Sequence, residues 1–211
     1  AQTTSFEVPI DHYDENRHFF LGYYFRDNYE QAMRTLPYIA SGVTINRIEV
    51  WITNKRGNYD QARNIVALTD LGEYADEHIQ KPAWSVSAEA RTPYNKANTL
   101  YETLVVSNPE VRDIQQISSV MQSLNMELGE DYEKVESARL LSSSDYTLNS
   151  SLGYISLKTA LNQDEVLAVA YEYTYAGKVY QVGEFSTDGG ESLKAPNSLI
   201  LKLLKSTNNA P

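Results

Sequence analysis

The side chains able to do chemistry in this sequence are scattered. Histidines occur at His12, His18 and His78, with no HExxH run and no paired ligand spacing, so a transition-metal site through them would lack converging donors. Asp11, Asp14 and Glu15 form a local acidic cluster, and Thr187-Asp188-Gly189-Gly190 an acidic turn. Either could offer oxygens to calcium, but neither reproduces the alternating spacing of the known loop, and solvated turns are the simpler reading. Adjacent carboxylates such as Asp164 and Glu165 are the raw material of a glycosidase, yet with 28 acidic residues such adjacency arises without a site. There is no GxSxG, no phosphate-binding loop and no GxGxxG. The absence of cysteine removes thiol catalysis, thiolate zinc sites and disulfide bridges. Trp51 and Trp84, with 16 tyrosines, supply the one small-ligand chemistry with physical appeal, flat aromatic faces on which sugars stack. A cell-surface glycan-binding β-sandwich module would use them so; sheet packing and loop anchoring is the competing use. Asn149-Ser150-Ser151 formally matches a glycosylation acceptor and carries no functional weight here. The expectation is a protein that is not an enzyme, with no catalytic residue, no metal and no cofactor.

The elements that must position these side chains are mostly strands. Between Glu165 and Phe185, Leu167, Val169, Tyr171 and Tyr173 alternate with Ala168, Ala170, Glu172 and Thr174, the period of two of a strand with one buried face. Ala176-Gly177 supplies a turn, and a two-residue loop there sets Tyr175 opposite Lys178, Tyr173 opposite Tyr180 and Tyr171 opposite Val182. His18 to Phe25 is an apolar run, read as a strand covered on both faces. A short helix follows, with Asp27 and Glu30 in a capping pattern, Tyr29, Ala32, Met33 and Leu36 at helical spacing, and Pro37 as the stop. Asn46 to Asn54 turns Ile48, Val50 and Ile52 inward and Arg47, Glu49, Trp51 and Thr53 outward. The polar loop Lys55 to Gln61 leads back through Arg63 to Thr69 as a partner strand.

The pattern fades between Gly72 and Lys96, which marks the subdomain boundary: residues 1–85 β-rich with one inserted helix, residues 86–211 α+β, or one continuous domain. A short helix is expected over Asn98 to Val106. A longer one over 109–128 would be capped by Asn108, begun by Pro109 and ended by Gly129, with Val111, Ile114, Ile117, Met121, Leu124 and Leu128 as its stripe. Strands follow at Tyr132 to Leu141 and Leu152 to Leu157, then the hairpin, and Leu199 to Leu204 leans to strand over helix. The predicted fold class is α+β, mainly antiparallel β in sandwich-like sheets, with two or three short helices.

The 18 basic and 28 acidic residues give a net charge of −10, which repels a phosphate backbone and anionic lipid and argues against nucleic-acid binding. No run reaches the roughly 18 apolar residues of a spanning helix. The opening AQTTSFEVPI lacks the basic and apolar regions of a leader, so either a leader has been removed or the segment is cut from a longer chain.

Four strings, SGVTINRIEVWITNKRG, ARNIVALTDLGE, LGYISLKTALNQDEVLAVAYEYTYAGKVYQVGEFSTDG and LILKLLKSTN, lie in order between Ser41 and Asn208. They closely resemble segments of the SprA (Sov) family, very long outer-membrane proteins of the type 9 secretion system tied in some bacteria to gliding motility. The resemblance implies a translocon, a giant β-barrel that exports folded cargo bearing a C-terminal sorting domain, and carries no catalytic signature. The partners it implies are other parts of the same barrel, a lipoprotein barrel partner, a plug and the secreted cargo. This chain would be an extramembrane portion of the outer-membrane protein with no span of its own, the extracellular face being favoured over the periplasmic.

Overall fold

Nine strands and three α-helices, joined by short 3-10 turns, make up residues 16–34 and 42–207, the residues that the computed structural model describes. In chain order they are β1 (His18–Phe20), α1 (Tyr23–Arg34), β2 (Val43–Ile52), β3 (Arg63–Leu68), α2 (Leu100–Val105), α3 (Ile117–Ser123), β4 (Tyr132–Leu140), β5 (Tyr146–Asn149), β6 (Tyr154–Leu157), β7 (Leu167–Tyr175), β8 (Lys178–Val182) and β9 (Leu199–Lys205). The fold is α+β and mainly antiparallel, as expected; β3 and β9 form the parallel strand pair.

A small sheet has the order β1-β6-β5, and a large one the order β2-β4-β3-β9-β7-β8. The large sheet closes, because β2 pairs with β7 along nearly its whole length and also with β4 through Trp51 opposite Leu140 and Ile52 opposite Arg139. Strands β2, β4, β3, β9 and β7 therefore form a ring, and β8 extends the free part of the β7 edge. Two irregularities make the closure possible. In β2 the register shifts between Ile45 and Arg47, so Val43 and Ile45 share a face with Ile48, Val50 and Ile52 despite the change of parity. In β4, Ser137 has φ of 51° and its N–H donates to Asn64 Oδ1 at 2.9 Å, and the resulting bulge bends the strand from β3 toward β2.

Closure gives the ring two apolar faces. Trp51, Ile65, Ala67, Ala168, Ala170 and Leu201 belong to the inner cluster, where alanines suit the narrow space. Val50, Val66, Leu68, Val169, Tyr171 and Ile200 belong to an outer cluster, shared with Phe25 of α1, Leu100 of α2, Met121 of α3 and Ile155 of the small sheet. Strand β7 is thus buried on both faces, not on one as its alternation suggested; alanine's modest hydrophobicity disguised an interior row. Trp51, expected to face outward, is completely buried for the same reason.

The hairpin has the expected register, with Tyr175, Tyr173 and Tyr171 opposite Lys178, Tyr180 and Val182. Ala176 and Gly177 both adopt positive φ, 51° and 77°, the backbone of a tight turn matched to strand twist. Much of the tyrosine excess goes into the outer cluster. Phe25 meets Tyr171 and Tyr173 edge-on at 5.8 and 6.0 Å, and Tyr173 stacks on Tyr180 at 5.3 Å. At Gly153, φ is 72° and an added Cβ would lie 2.2 Å from the Phe25 ring, so only glycine lets the turn before β6 press against α1.

Several expectations are corrected. The run from His18 divides into a three-residue strand and the start of α1, so Asp27 lies inside the helix and is not its cap. Leu36 and Pro37 fall outside the described residues. Strand β3 does not pair with β2; it lies between β4 and β9. The helix expected over 109–128 is broken into a 3-10 turn at Pro109–Arg112 and the seven-residue α3. Asn108 makes no side-chain cap and donates instead to Thr103 O at 2.8 Å. Helix α3 stops at Asn125, not Gly129: Asn125 has φ of 57°, its N–H reaches Gln122 O at 3.1 Å and the Met126 N–H reaches Met121 O at 2.9 Å. These are the two bonds of a Schellman ending with asparagine in the left-handed position. Strand β5 starts ahead of the strand-rich stretch expected from Leu148 onward, and Asn149 at its end uses Oδ1 to accept the Leu152 N–H at 2.9 Å.

Where the pattern faded after Gly72, side chains hold the chain. Asp70 accepts the Gln80 and Lys81 N–H groups at 2.8 and 2.9 Å, and Asn98 Nδ2 donates to the carbonyls of Asp70 and Glu73, both at 2.9 Å. Lys202 of β9 reaches in to Glu73 at 3.1 Å and donates to Thr69 O. Bonds of this kind have no period for a sequence to display.

Candidate functional site

Besides the Asp70, Asn98, Glu73 and Lys202 network, three groups of polar side chains stand out among the described residues, and two of them have structural work. The first joins the loop after β8 to the ring. Arg112 Nη1 and Nη2 fork onto the Glu184 carboxylate at 2.6 and 2.7 Å, the Tyr101 hydroxyl donates to the same carboxylate at 2.7 Å, and the Ile200 N–H donates to Glu184 Oε1 at 2.8 Å. Burial, which would lower the Arg112 pKa, is outweighed by Glu184, so the guanidinium is held charged; burial, then Glu184, pushes the Tyr101 hydroxyl well above its ordinary value. The second closes one mouth of the ring. Arg47 lies 3.8 Å above the Phe185 ring and pairs with Asp188 at 2.9 Å, while Glu49 accepts the Ser186 N–H and hydroxyl at 2.8 and 2.7 Å.

The third group lines a cleft of about 270 Å³ at the seam where β2 meets β4, with residues 157–162 as its far wall. Its apolar floor comes from Ile52, Leu141, Leu157 and Leu161, and its rim carries Arg56, Arg139 and Lys158. Arg139 Nε is buried with no hydrogen-bond partner among the described residues. Burial first, then the nearby Arg56, lowers the Arg139 pKa, partly offset by Asp145 and Glu165. Those two carboxylates face backbone donors: Asp145 Oδ2 accepts the Ser142 N–H at 2.9 Å, and Glu165 Oε1 accepts the Asn162 N–H at 2.9 Å. Lys55 is drawn off to Asp164 at 2.5 Å. The lining thus sets four cations, Lys55, Arg56, Arg139 and Lys158, against two carboxylates, Asp145 and Glu165, a cationic excess in an acidic chain that can hold an anion.

The residues singled out by sequence lie elsewhere. Trp51 is inside the ring and Trp84 is 6% exposed in the outer cluster, so the structure does not bring the two indoles together and neither presents a face to solvent. Asp164 pairs with Lys55 while Glu165 turns to Asn162, so the two carboxylates do not converge. His18 bonds Ser156 Oγ at 2.7 Å; His78 stacks on Tyr23 at 4.6 Å and approaches Asp27 at 3.1 Å. The 187–190 turn is occupied by Arg47, and no group of three or more metal-ligating side chains is present among the described residues. His12, Asp11, Asp14 and Glu15 lie outside them. Sequence reasoning passed over Arg56 and Arg139 because they are 83 positions apart and meet only through the β2–β4 closure; the Lys55-Arg56 pair in a polar loop was the one visible sign.

No helix of the described residues is long and apolar enough to cross a membrane. A family described as motility related/secretion protein, SprA_N, matches residues 1–173. No curated protein matches the chain.

Proposed function

The chain belongs to the SprA N-terminal family of motility-related secretion proteins, and from that premise we propose that it is a non-enzymatic extramembrane domain of an outer-membrane protein-export channel of the type 9 kind. The family match over residues 1–173 carries this reading. It is supported by the way buried charges are used: Glu184 and Glu73 hold loops to strand β9 and Asp70 holds one loop segment to another, as a rigid scaffold requires. The partners proposed are other parts of the same barrel, a lipoprotein barrel, a plug and passing cargo, and the extracellular side is proposed over the periplasmic. Deleting the segment Arg47 to Gly183 from the full-length protein is expected to stop export of cargo bearing the sorting domain while the channel protein itself still reaches the membrane. Normal secretion from cells carrying that deletion would end the proposal. A protease-cleavable tag in the exposed loop 55–61 fixes the side: cleavage on intact cells is expected, and protection until the outer membrane is opened would place the domain in the periplasm.

A further inference from the structure

The geometry points to the seam cleft as a recognition site for a carboxylate carried on a short acidic peptide segment with apolar flanks. Four observations lead there. Arg139 is a guanidinium whose buried Nε has no partner, and such a group is costly to leave unpaired unless something joins it. Arg56 is near enough to disfavour its charge, a like-charge arrangement that an anion between them would relieve. The two wall carboxylates each spend one oxygen on a backbone N–H, of Ser142 and of Asn162, and neither hydrogen-bonds Arg139 Nε. Finally, the floor is apolar, which a bare inorganic anion would not use and a peptide side chain would. Two planar guanidinium forks match a carboxylate's paired oxygens, and the long-range field of a chain with net charge −10 repels anions. Selectivity then comes from contact inside the cleft, where screening by salt is weakest. The assignment does not depend on the export reading.

The test uses the 211-residue chain and the peptide acetyl-Leu-Asp-Leu-amide, followed by the Arg139 side-chain Nε–H and the backbone amides of 139–162 in a nitrogen-15 titration. Saturable shifts are expected, with affinity reduced about ten-fold or more by Arg139→Gln and by Arg56→Gln, the loss of one charge-assisted pair. Arg56 is exposed, so its variant keeps the wild-type melting temperature and isolates binding from folding. Lys178→Gln, at an exposed cation on β8, is expected to bind as wild type. The inference fails if no saturation occurs, if acetyl-Leu-Asn-Leu-amide binds equally well, or if binding survives both arginine substitutions. It also fails if sodium phosphate gives the same shifts at equal concentration, since the apolar floor would then have no role.

Discussion

Arg112 and Glu184 show how much of this molecule rests on single side chains. Their side chains are 14% and 4% exposed, and the bidentate contact is joined by Tyr101 and the Ile200 N–H. Removing one member strands the other in a dry site, so Arg112→Ala is expected to cost about 3–5 kcal/mol, read from urea unfolding. Arg112→Lys keeps the charge but loses the fork and should fall between the two; equality of lysine with arginine would show that charge alone matters there. Two aspartates predict opposite pH behaviour. The Ser142 N–H, with its hydroxyl, holds Asp145 below the ordinary carboxylate range despite some burial. A folded pKa below the unfolded one contributes stability above the unfolded value, lost as pH falls through the folded value. Burial raises Asp70 in spite of the Gln80 and Lys81 N–H groups, so it contributes the other sign, and its protonation on acidification favours the folded state. Asp145→Asn should therefore flatten the acid limb of the stability curve and Asp70→Asn should not; a steeper limb in Asp145→Asn would refute the assignment.

At the scale of elements, legibility followed periodicity. The β7–β8 register could be read because alternating tyrosines and a two-residue turn fix it, whereas the short apolar run of β9, buried at successive residues, displays no period and could only lean to strand. Helix 109–128 was misread because its apolar stripe is real, with Val111, Ile117 and Met121 fully buried, while the backbone between them is not continuous helix. Leu128, assigned to that stripe, is 59% exposed. Turn chemistry still leaves room for improvement at Ala176, whose φ of 51° is one that a Cβ disfavours. Asparagine tolerates that backbone and forms the preferred Asn-Gly turn, so Ala176→Asn is expected to stabilise by about 1 kcal/mol. Thermal unfolding measures it, and a lower melting temperature would mean that another contact of Ala176 outweighs the backbone.

For the whole molecule the decisive feature is the ring, which no local pattern announces because it depends on two bulges and on strands far apart in sequence. The arginine cleft was illegible for the same reason: it exists only where the ring shuts. Strand β3 is the clearest case of this dependence. It comes from the first 85 residues, yet both its neighbours, β4 and β9, come from the remainder, and its Ile65 and Ala67 are buried against Leu199 and Leu201. A fragment of residues 1–85 would carry β2 and β3 with neither paired, since β2 borders β4 and β7. Unpaired strands with apolar faces on both sides have no stable alternative in water. Residues 1–85 and 86–211 made separately are therefore expected to lack near-ultraviolet dichroism and cooperative melting, whereas the intact chain melts in one transition. Mixing the fragments should restore the signal, because every missing pairing is then available. A fragment of 1–85 that melts cooperatively alone would show that β2 and β3 find a sheet of their own, and the closed ring would then be an assembly of two independent parts.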